Sequence, residues 1–294
     1  MPAPDIRIVQ PVLAFDATLE DAARRAFSDL AERWYRHGSG PAADEPERRR
    51  SLLRTVVDLG FADALPAPDT RDAWPDAAVI IRAQARFAVP VDMALLLATG
   101  DREASIGGDP SEYVCTARSD APPDTNAAAA LALGRCLQIS SAMQAALELS
   151  LGYVQQRKQF GRPLARFQAI QHSLAIAAEE VAASVAITDL ALACMVAEGG
   201  ASARLPALLD AAAIVAGRGV DVVYDVCHQV HGAIGFTREY ALHRHSLDLL
   251  RWRDHLHALC GGELRCAERL GALAIAANGL WPGLTSLMKG GDSE

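Results

Sequence analysis

Cations and amide groups gather at residues 157–172, RKQFGRPLARFQAIQH, where one helical pattern ends and the next begins. Arg157, Lys158 and Arg162 supply positive charge, and the planar fork of an arginine matches the oxygens of a phosphate. The following helix adds free backbone N–H groups at its start, and Phe160 can stack on a planar ring. These groups together suit a pyrophosphate-like anion. The simpler interpretation is a solvated turn whose basic residues complement the dipole of the preceding helix.

A second loop, QVHGAIGFTREY at residues 229–240, carries two glycines after a helical pattern. Glycine lets a backbone approach a ligand closely, so Gly232 and Gly235 can lie against a bound group. Gln229 can hydrogen-bond the edge of a planar ring. Taken alone, the loop is more simply a glycine stop between two helices.

Histidine and cysteine can also bind metal ions, and the chain has eight histidines and six cysteines. No CxxC pair and no helical Glu-x-x-His pair occurs, so we expect no metal site. The cysteines are instead predicted to be buried thiols in a reducing compartment. The residues considered are His228, His231, His243, His245, His255, His257, Cys115, Cys136, Cys194, Cys227, Cys260 and Cys266.

Bulk composition narrows the function classes. The 294 residues carry a net charge of −8, which gives no electrostatic reason for a nucleic-acid partner. The N-terminus lacks the pattern of a signal peptide, and no uninterrupted apolar run reaches ~18 residues, so no membrane span is expected. With 51% apolar residues the chain can bury a core. We therefore expect a soluble cytoplasmic protein without a membrane partner.

Helices must position both loops, and four helical patterns make residues 1–97 a predicted N-terminal helical domain. The first pattern starts at Thr18, which can cap a helix, and the second ends at Gly60. The third covers residues 75–87, and the fourth is capped near Pro90. This part is therefore expected to be wholly helical.

The remainder of the chain divides in two. Residues 98–126 are rich in Gly, Pro, Asp, Ser and Thr, and EYVCTAR alone has the pattern of a strand, so we predict a linker or truncated β-domain remnant. Residues 127–294 carry long helical patterns joined by short loops, which predict an antiparallel four-helix bundle and a mainly α fold. The predicted helices cover 127–157, 167–198, 202–230, 239–258 and 263–277.

The two loops together, in this order and about 60 residues apart, resemble the paired signature of the acyl-CoA dehydrogenase family. The resemblance covers the C-terminal module, with weaker echoes in LRTVVDLGFADALPAP and IRAQARFAVPVDMALLL. It implies an N-terminal helical domain, a middle β-domain and a C-terminal four-helix bundle, with FAD in a cleft that extends across a subunit contact. It further implies that one FAD site is contacted by Arg157, Gln159 and Phe160, and that the ADP portion of a neighbouring subunit's FAD is reached by Gln229, Gly232 and Ala233. The family usually has glycine where Ala233 stands.

The implied reaction is α,β-dehydrogenation of an acyl-CoA thioester, with FAD as hydride acceptor and an electron-transfer flavoprotein as the next acceptor. A glutamate removes the α-proton and must lie in a dry pocket where its pKa rises. The family spacing, 17 residues on from Glu239, falls on Leu256. The nearest carboxylate in a matching Gly-Glu context is Glu263, which can equally be a first-turn residue of the last helix. Some relatives place the base before the first loop, where LALGRC offers no carboxylate.

Three functional hypotheses follow. The family's middle β-domain is several times longer than residues 98–126, so the chain is either a compact dehydrogenase that uses Glu263 or the short subunit of a heteromeric one. In the second case it pairs with a longer acyl-CoA dehydrogenase subunit and lends its loops to that chain's FAD. The alternative is a non-catalytic helical partner or scaffold that completes another chain's FAD site.

Overall fold

A computed structural model describes residues 13, 15–36, 45–107, 125–279, 281–283 and 285. The described residues are almost entirely helical, and their one sheet is a two-stranded hairpin. The prediction of a mainly α fold is therefore confirmed. The predicted strand EYVCTAR and Cys115 lie outside the described residues, and the division at residues 97 and 126 stays a prediction.

The N-terminal part contains the four predicted helices and a short fifth one. Two predicted caps are wrong. The side chain of Asp16, rather than Thr18, accepts the backbone N–H groups that open the first helix, and Asp92, rather than Pro90, caps the fourth by accepting from Leu95 N. In both cases a carboxylate oxygen accepts a backbone N–H of the first turn, which the ring of Pro90 cannot do. The helices are α1 (Ala17–Arg36), α2 (Glu45–Asp58), α3 (Trp74–Arg86), α4 (Met93–Thr99) and α5 (Ala104–Gly107), with 3-10 turns at Phe61–Asp63 and Arg71–Ala73.

The C-terminal part is the predicted helical bundle, with one further helix packed beside it. Its first four helices are joined by short connections, so consecutive helices run antiparallel. Each observed end lies within three residues of the predicted one. The elements are α6 (Thr125–Gln156), β1 (Lys158–Gln159), β2 (Arg162–Pro163), α7 (Gln168–Glu198), α8 (Leu205–His231), α9 (Ala241–Cys260) and α10 (Glu263–Ala276), with 3-10 turns at Leu164–Arg166 and Gly232–Phe236.

Helix α6 is the central element of the molecule. It contacts α3 and α4 of the N-terminal part and α7, α8 and α9 of the bundle, and every residue from 131 to 143 is buried. At Gly134 the backbone of α6 passes so close to α4 that an added Cβ would lie 2.7 Å from the Cβ of Ala94. The two parts of the chain consequently share one continuous apolar core.

Helix α7 is the one helix among the described residues that is long and apolar enough to cross a membrane, with a mean hydropathy of 1.7 over its most apolar window. In this structure 44% of that window is buried against the rest of the molecule. Core helices of soluble proteins pass the same test, so length and hydropathy alone make no membrane assignment for α7.

Candidate functional site

The first loop is a tight hairpin between α6 and α7. Gln159 pairs with Arg162 across the hairpin, and the two residues between them, Phe160 and Gly161, have φ values of 52° and 77°. Two consecutive positive φ values are typical of a two-residue type I′ turn, whose twist matches that of the strands. The turn holds the Phe160 side chain 91% exposed. A bulky residue with positive φ is uncommon, and the strain here serves to project an aromatic ring.

Aromatic and cationic groups cover the hairpin. The ring of Phe160 meets the ring of Phe167 edge-on at 6.2 Å, and the guanidinium of Arg162 lies 4.2 Å from the same Phe167 ring. The base of the hairpin is closed by Leu164 N, which donates to Arg157 O at 2.9 Å. Phe160 and Arg162 are therefore both held beside one fixed ring.

Positive charge at the hairpin has no internal counterpart. Among the residues that the structure describes, no carboxylate forms an ion pair with the four exposed cations of this segment. By contrast, Arg82, Arg86 and Arg253 are each paired with a carboxylate. An uncompensated cluster of this kind attracts an anionic ligand. The four cations are Arg157, Lys158, Arg162 and Arg166.

The second loop begins where α8 ends at Gly232, whose φ of 64° stops the helix. Gln229, Gly232 and Ala233 are exposed, and a Cβ on Gly232 would meet nothing within 4 Å. Gly235 has the opposite environment: it is buried, and an added Cβ would lie 3.1 Å from the Cβ of His231. The free backbone surface of this loop therefore lies at Gly232 and Ala233, while Gly235 packs inward.

Two histidines support the second loop from below. His228 hydrogen-bonds Ser246 Oγ at 2.7 Å and stacks under the ring of Phe236. His231 bonds the carbonyl of Cys227 at 2.8 Å and the hydroxyl of Tyr240 at 3.1 Å. Burial lowers the pKa of both histidines, so both are neutral at pH 7. From the sequence they were candidate metal ligands, and in the structure both side chains support the loop.

The two loops lie at the same end of the bundle. Tyr153, one turn before Arg157, stacks on the ring of His231 with 4.4 Å between centroids, and His231 immediately precedes Gly232. The structure thus brings the six predicted cofactor-binding residues to one exposed end. They are Arg157, Gln159, Phe160, Gln229, Gly232 and Ala233.

Glu263 does not join them. It is the exposed first residue of α10, beyond the far end of α9. A 20-residue helix such as α9 is about 30 Å long, and α9 begins beside the second loop. Within one chain, the predicted base and the predicted cofactor loops therefore lie at opposite ends of the bundle.

A buried polar cluster between α4, α6 and α9 was not predicted from the sequence. Arg135 is wholly buried and donates to Asp92 Oδ1 at 2.6 Å, to Gln138 Oε1 at 2.6 Å and to His255 Nδ1 at 2.7 Å. Burial opposes the charge on Asp92, but the guanidinium of Arg135 outweighs it and holds the pKa of Asp92 low. Nearby Asp248 has its pKa raised by burial to about 6.

A signal for this cluster was present in the sequence. Arg135 is the one charge in the apolar run LALGRCLQI, and a lone charge on a buried helix needs a buried partner. The stretch in which some acyl-CoA dehydrogenases carry a base holds a fixed guanidinium here. Only the tertiary structure identifies the partner as Asp92.

Comparison with known proteins agrees with this geometry. Residues 125–253 match the family model described as the acyl-CoA dehydrogenase C-terminal domain. The helical bundle of this chain therefore contains an acyl-CoA dehydrogenase C-terminal domain. FadE28, an acyl-CoA dehydrogenase of Mycobacterium tuberculosis, is 31% identical in a 176-position alignment that covers 55% of this chain and 48% of FadE28. A 3-sulfinopropanoyl-CoA desulfinase of Paraburkholderia xenovorans is 36% identical over 104 residues, 34% of this chain and 25% of that protein. The chain thus spans a quarter to a half of the length of these relatives.

Solved acyl-CoA dehydrogenase chains share the fold over most of this chain. A chain of the Tcur3481-Tcur3483 steroid ACAD superposes with a TM-score of 0.64 at 18% identity, and covers 89% of this chain and 97% of its own length. A chain of the ChsE4-ChsE5 complex from Mycobacterium tuberculosis gives 0.62 at 14% identity, with 87% and 97% covered. Other chains of similar length therefore adopt this fold.

Proposed function

We propose that this chain is the short, non-catalytic subunit of a heteromeric acyl-CoA dehydrogenase. It pairs with a longer subunit and presents its loop end to the FAD that the longer subunit holds. The observation that carries the proposal is the exposed, uncompensated cation cluster of the hairpin beside the open backbone at Gly232. Ligand-binding groups that lack an internal partner fit a ligand held mainly by another chain.

The donor set fits FAD. Arg157 and Arg162 offer forked donors for the pyrophosphate, Phe160 offers an exposed ring face, and Gly232 and Ala233 offer backbone that no side chain covers. When bound, FAD supplies the hydride acceptor for α,β-dehydrogenation of an acyl-CoA. In this proposal the residues of the chain position and screen the cofactor, and they move no proton.

The exposed position of Glu263 supports the non-catalytic assignment. A base for a weakly acidic α-proton needs a dry site that raises its pKa, and Glu263 is exposed. The stretch LALGRC, where some relatives carry the base, holds the buried guanidinium of Arg135, which is already bound to Asp92. We therefore assign the base to the longer subunit.

Two comparisons support a heteromer. The chains that share the fold over nearly their whole length come from structures named for two proteins each, ChsE4-ChsE5 and Tcur3481-Tcur3483. The proposal extends that assembly to this chain, with an acyl-CoA as substrate, an electron-transfer flavoprotein as acceptor and the cytoplasm as location.

Co-expression with a longer acyl-CoA dehydrogenase subunit encoded nearby tests the proposal. We expect the chain alone to purify without flavin and the complex to purify with FAD. Arg157→Ala removes a charge-assisted contact worth about 1.5–3 kcal/mol and should weaken FAD binding by the complex roughly 10- to 100-fold. Arg218→Ala, at an exposed cation of α8 away from both loops, is the control. Stoichiometric FAD and turnover by the chain alone would overturn the proposal.

Glu263→Gln separates the two dehydrogenase hypotheses. We expect the complex to keep its rate of acyl-CoA-dependent flavin reduction, because the exposed carboxylate only complements the N-terminus of α10. Glu268→Gln, at another exposed carboxylate of the same helix, is the matched control. A loss of about 100-fold or more in Glu263→Gln alone would identify Glu263 as a general base.

A further inference from the structure

A cluster of potential metal ligands lies at the end of the bundle opposite the two loops. Cys260 is the last residue of α9, Cys266 lies in the first turns of α10, and Asp210 lies on α8. The two sulfur atoms and a carboxylate oxygen all lie within 4.8 Å of one another. The tight turn that brings the cysteines together contains Gly261 and Gly262, with φ values of 82° and 92°. The same turn leads directly into Glu263, the first residue of α10.

One cationic nitrogen already lies among these groups. Arg269 Nη2 donates to Asp210 Oδ1 at 2.5 Å, to the carbonyl oxygen of Cys260 at 2.8 Å and to Cys266 Sγ at 3.4 Å. Its Nε donates to the other oxygen of Asp210 at 2.7 Å. Three different elements therefore direct electron-pair donors at the position of a single cation.

Arg269 can leave this position, whereas the ligands cannot. Its side chain is 48% exposed while that of Asp210 is 7% exposed, and Cys266 is buried. A rotation of the arginine into water would leave a mostly buried carboxylate, two thiols and a carbonyl oxygen facing one another without a cation. That set of two soft sulfur ligands and one carboxylate matches zinc and differs from the all-oxygen sites of calcium and magnesium.

We propose that Asp210, Cys260 and Cys266 bind one zinc ion in exchange for the guanidinium of Arg269. Both thiols release their protons to solvent as the two Zn–S bonds form, and the Cys260 carbonyl or a water molecule completes four-coordination. Tetrahedral zinc with Zn–S bonds of about 2.3 Å needs ligand atoms about 3.5–3.8 Å apart. The cluster therefore contracts by about 1 Å on binding.

The site would add a further attachment between α10 and the bundle. Cys266 is the one buried residue of α10, so most of this helix is accessible to solvent. A zinc ion shared by α8, the end of α9 and α10 would fix all three. Because the site is at the far end of α9 from the hairpin, it is independent of the proposed FAD contacts.

Titration of the reduced 294-residue chain with Co²⁺ and Zn²⁺ tests the proposal. We expect one Co²⁺ per chain, with thiolate-to-cobalt charge transfer and tetrahedral d–d absorption, and displacement by Zn²⁺. Cys260→Ser and Cys266→Ser should each weaken binding by at least about 100-fold, because they remove a direct ligand. Arg269→Gln should tighten binding roughly tenfold, because the competing cation is gone. Cys194→Ser, at a buried thiol of α7, is the matched control and should bind as the unaltered chain does.

Three results would overturn the proposal: no stoichiometric binding by the unaltered chain, equal loss in Cys194→Ser, or weaker binding in Arg269→Gln. If a serine variant does not fold, alkylation of the unaltered chain replaces it. Zinc must then protect Cys260 and Cys266 together from iodoacetamide, with Cys194 as the internal reference. Equal alkylation with and without zinc would overturn the proposal in the same way.

Discussion

Two titratable side chains in the interior of this protein, His245 and Asp248, have charged forms that burial disfavours. Burial, together with the nearby guanidinium groups of Arg244 and Arg86, lowers the pKa of His245 from 6.5 to about 4. Burial raises the pKa of Asp248 from 3.8 to about 6, although Arg251 pairs with it. Both side chains lie on α9, three residues apart, and both titrate in mildly acidic solution.

The two groups give opposite dependences of stability on pH. His245 has a folded-state pKa below its unfolded value, so its contribution is complete above about pH 6.5 and is lost as the pH falls toward 4. Asp248 has a folded-state pKa above its unfolded value, so its contribution is present below about pH 3.8 and is lost as the pH rises through 6. At acid pH the loss from His245 is partly offset by the gain from Asp248.

Chemical denaturation between pH 4 and 7 can distinguish the contributions of His245 and Asp248 to the free energy of unfolding. His245→Leu should remove an acid loss of roughly 3 kcal/mol in the free energy of unfolding and leave a profile that falls with rising pH. Asp248→Asn should make the acid loss steeper than in the unaltered chain. Parallel profiles for the two variants would contradict the assignment.

The hairpin between α6 and α7 holds an aromatic side chain in solvent at a residue with a strained backbone. Its type I′ turn favours Gly, Asn or Asp at the position of Phe160, yet this position carries a bulky, 91% exposed ring. A ring in that conformation contributes little to the stability of the folded chain. In the proposed function this ring contacts the FAD of the longer subunit.

Phe160→Asn tests this separation of roles. Asparagine keeps the turn because it tolerates positive φ, so we expect an unchanged melting temperature. Loss of aromatic stacking, worth about 1–3 kcal/mol per base, should weaken FAD binding by the complex roughly 5- to 150-fold. Phe167→Leu should lower binding less, because Phe167 supports the hairpin from beneath. A lowered melting temperature with full FAD affinity in Phe160→Asn would contradict the prediction.

The crossing of α4 and α6 is a second element-level constraint. An added Cβ at Gly134 would lie 2.7 Å from Ala94 Cβ and 3.3 Å from Ala94 Cα, so the helices would have to separate. We expect Gly134→Ala to lower the free energy of unfolding by about 1–3 kcal/mol. Gly152→Ala on the same helix, where a Cβ meets nothing within 4 Å, should instead stabilise by up to ~1 kcal/mol. Urea denaturation of the pair checks both signs.

At the scale of the whole molecule, the Arg135 cluster joins the N-terminal helices to the bundle. Arg135 of α6 bonds Asp92 at the start of α4 and His255 of α9, and Gln138 extends the network to Gln84 of α3. The N-terminal helices and the bundle also share one apolar core. We therefore expect both parts to unfold in one cooperative transition.

Arg135→Met tests this joint. It leaves the Asp92 carboxylate in a mostly buried site without its cation, which should cost about 3–5 kcal/mol. Arg135→Met combined with Asp92→Asn should cost less than the sum of the two single changes, because the double variant buries no unpaired charge. Calorimetry gives both the free energies and the number of transitions. Additive losses would show that the two side chains do not interact.

Local sequence patterns predicted the helices, their approximate ends and the resemblance to acyl-CoA dehydrogenases. Hydrophobic periodicity is local, so it identifies α6 to α10 without knowledge of their neighbours, and the loop motifs are contiguous segments. Only the tertiary structure shows which of these segments are in contact. It placed both loops at one end through Tyr153 and His231, left Glu263 at the other, paired Arg135 with Asp92, and gathered Asp210 with Cys260 and Cys266. Such contacts depend on how the helices pack and cross. They join residues far apart in the chain, so no local sequence pattern predicts them.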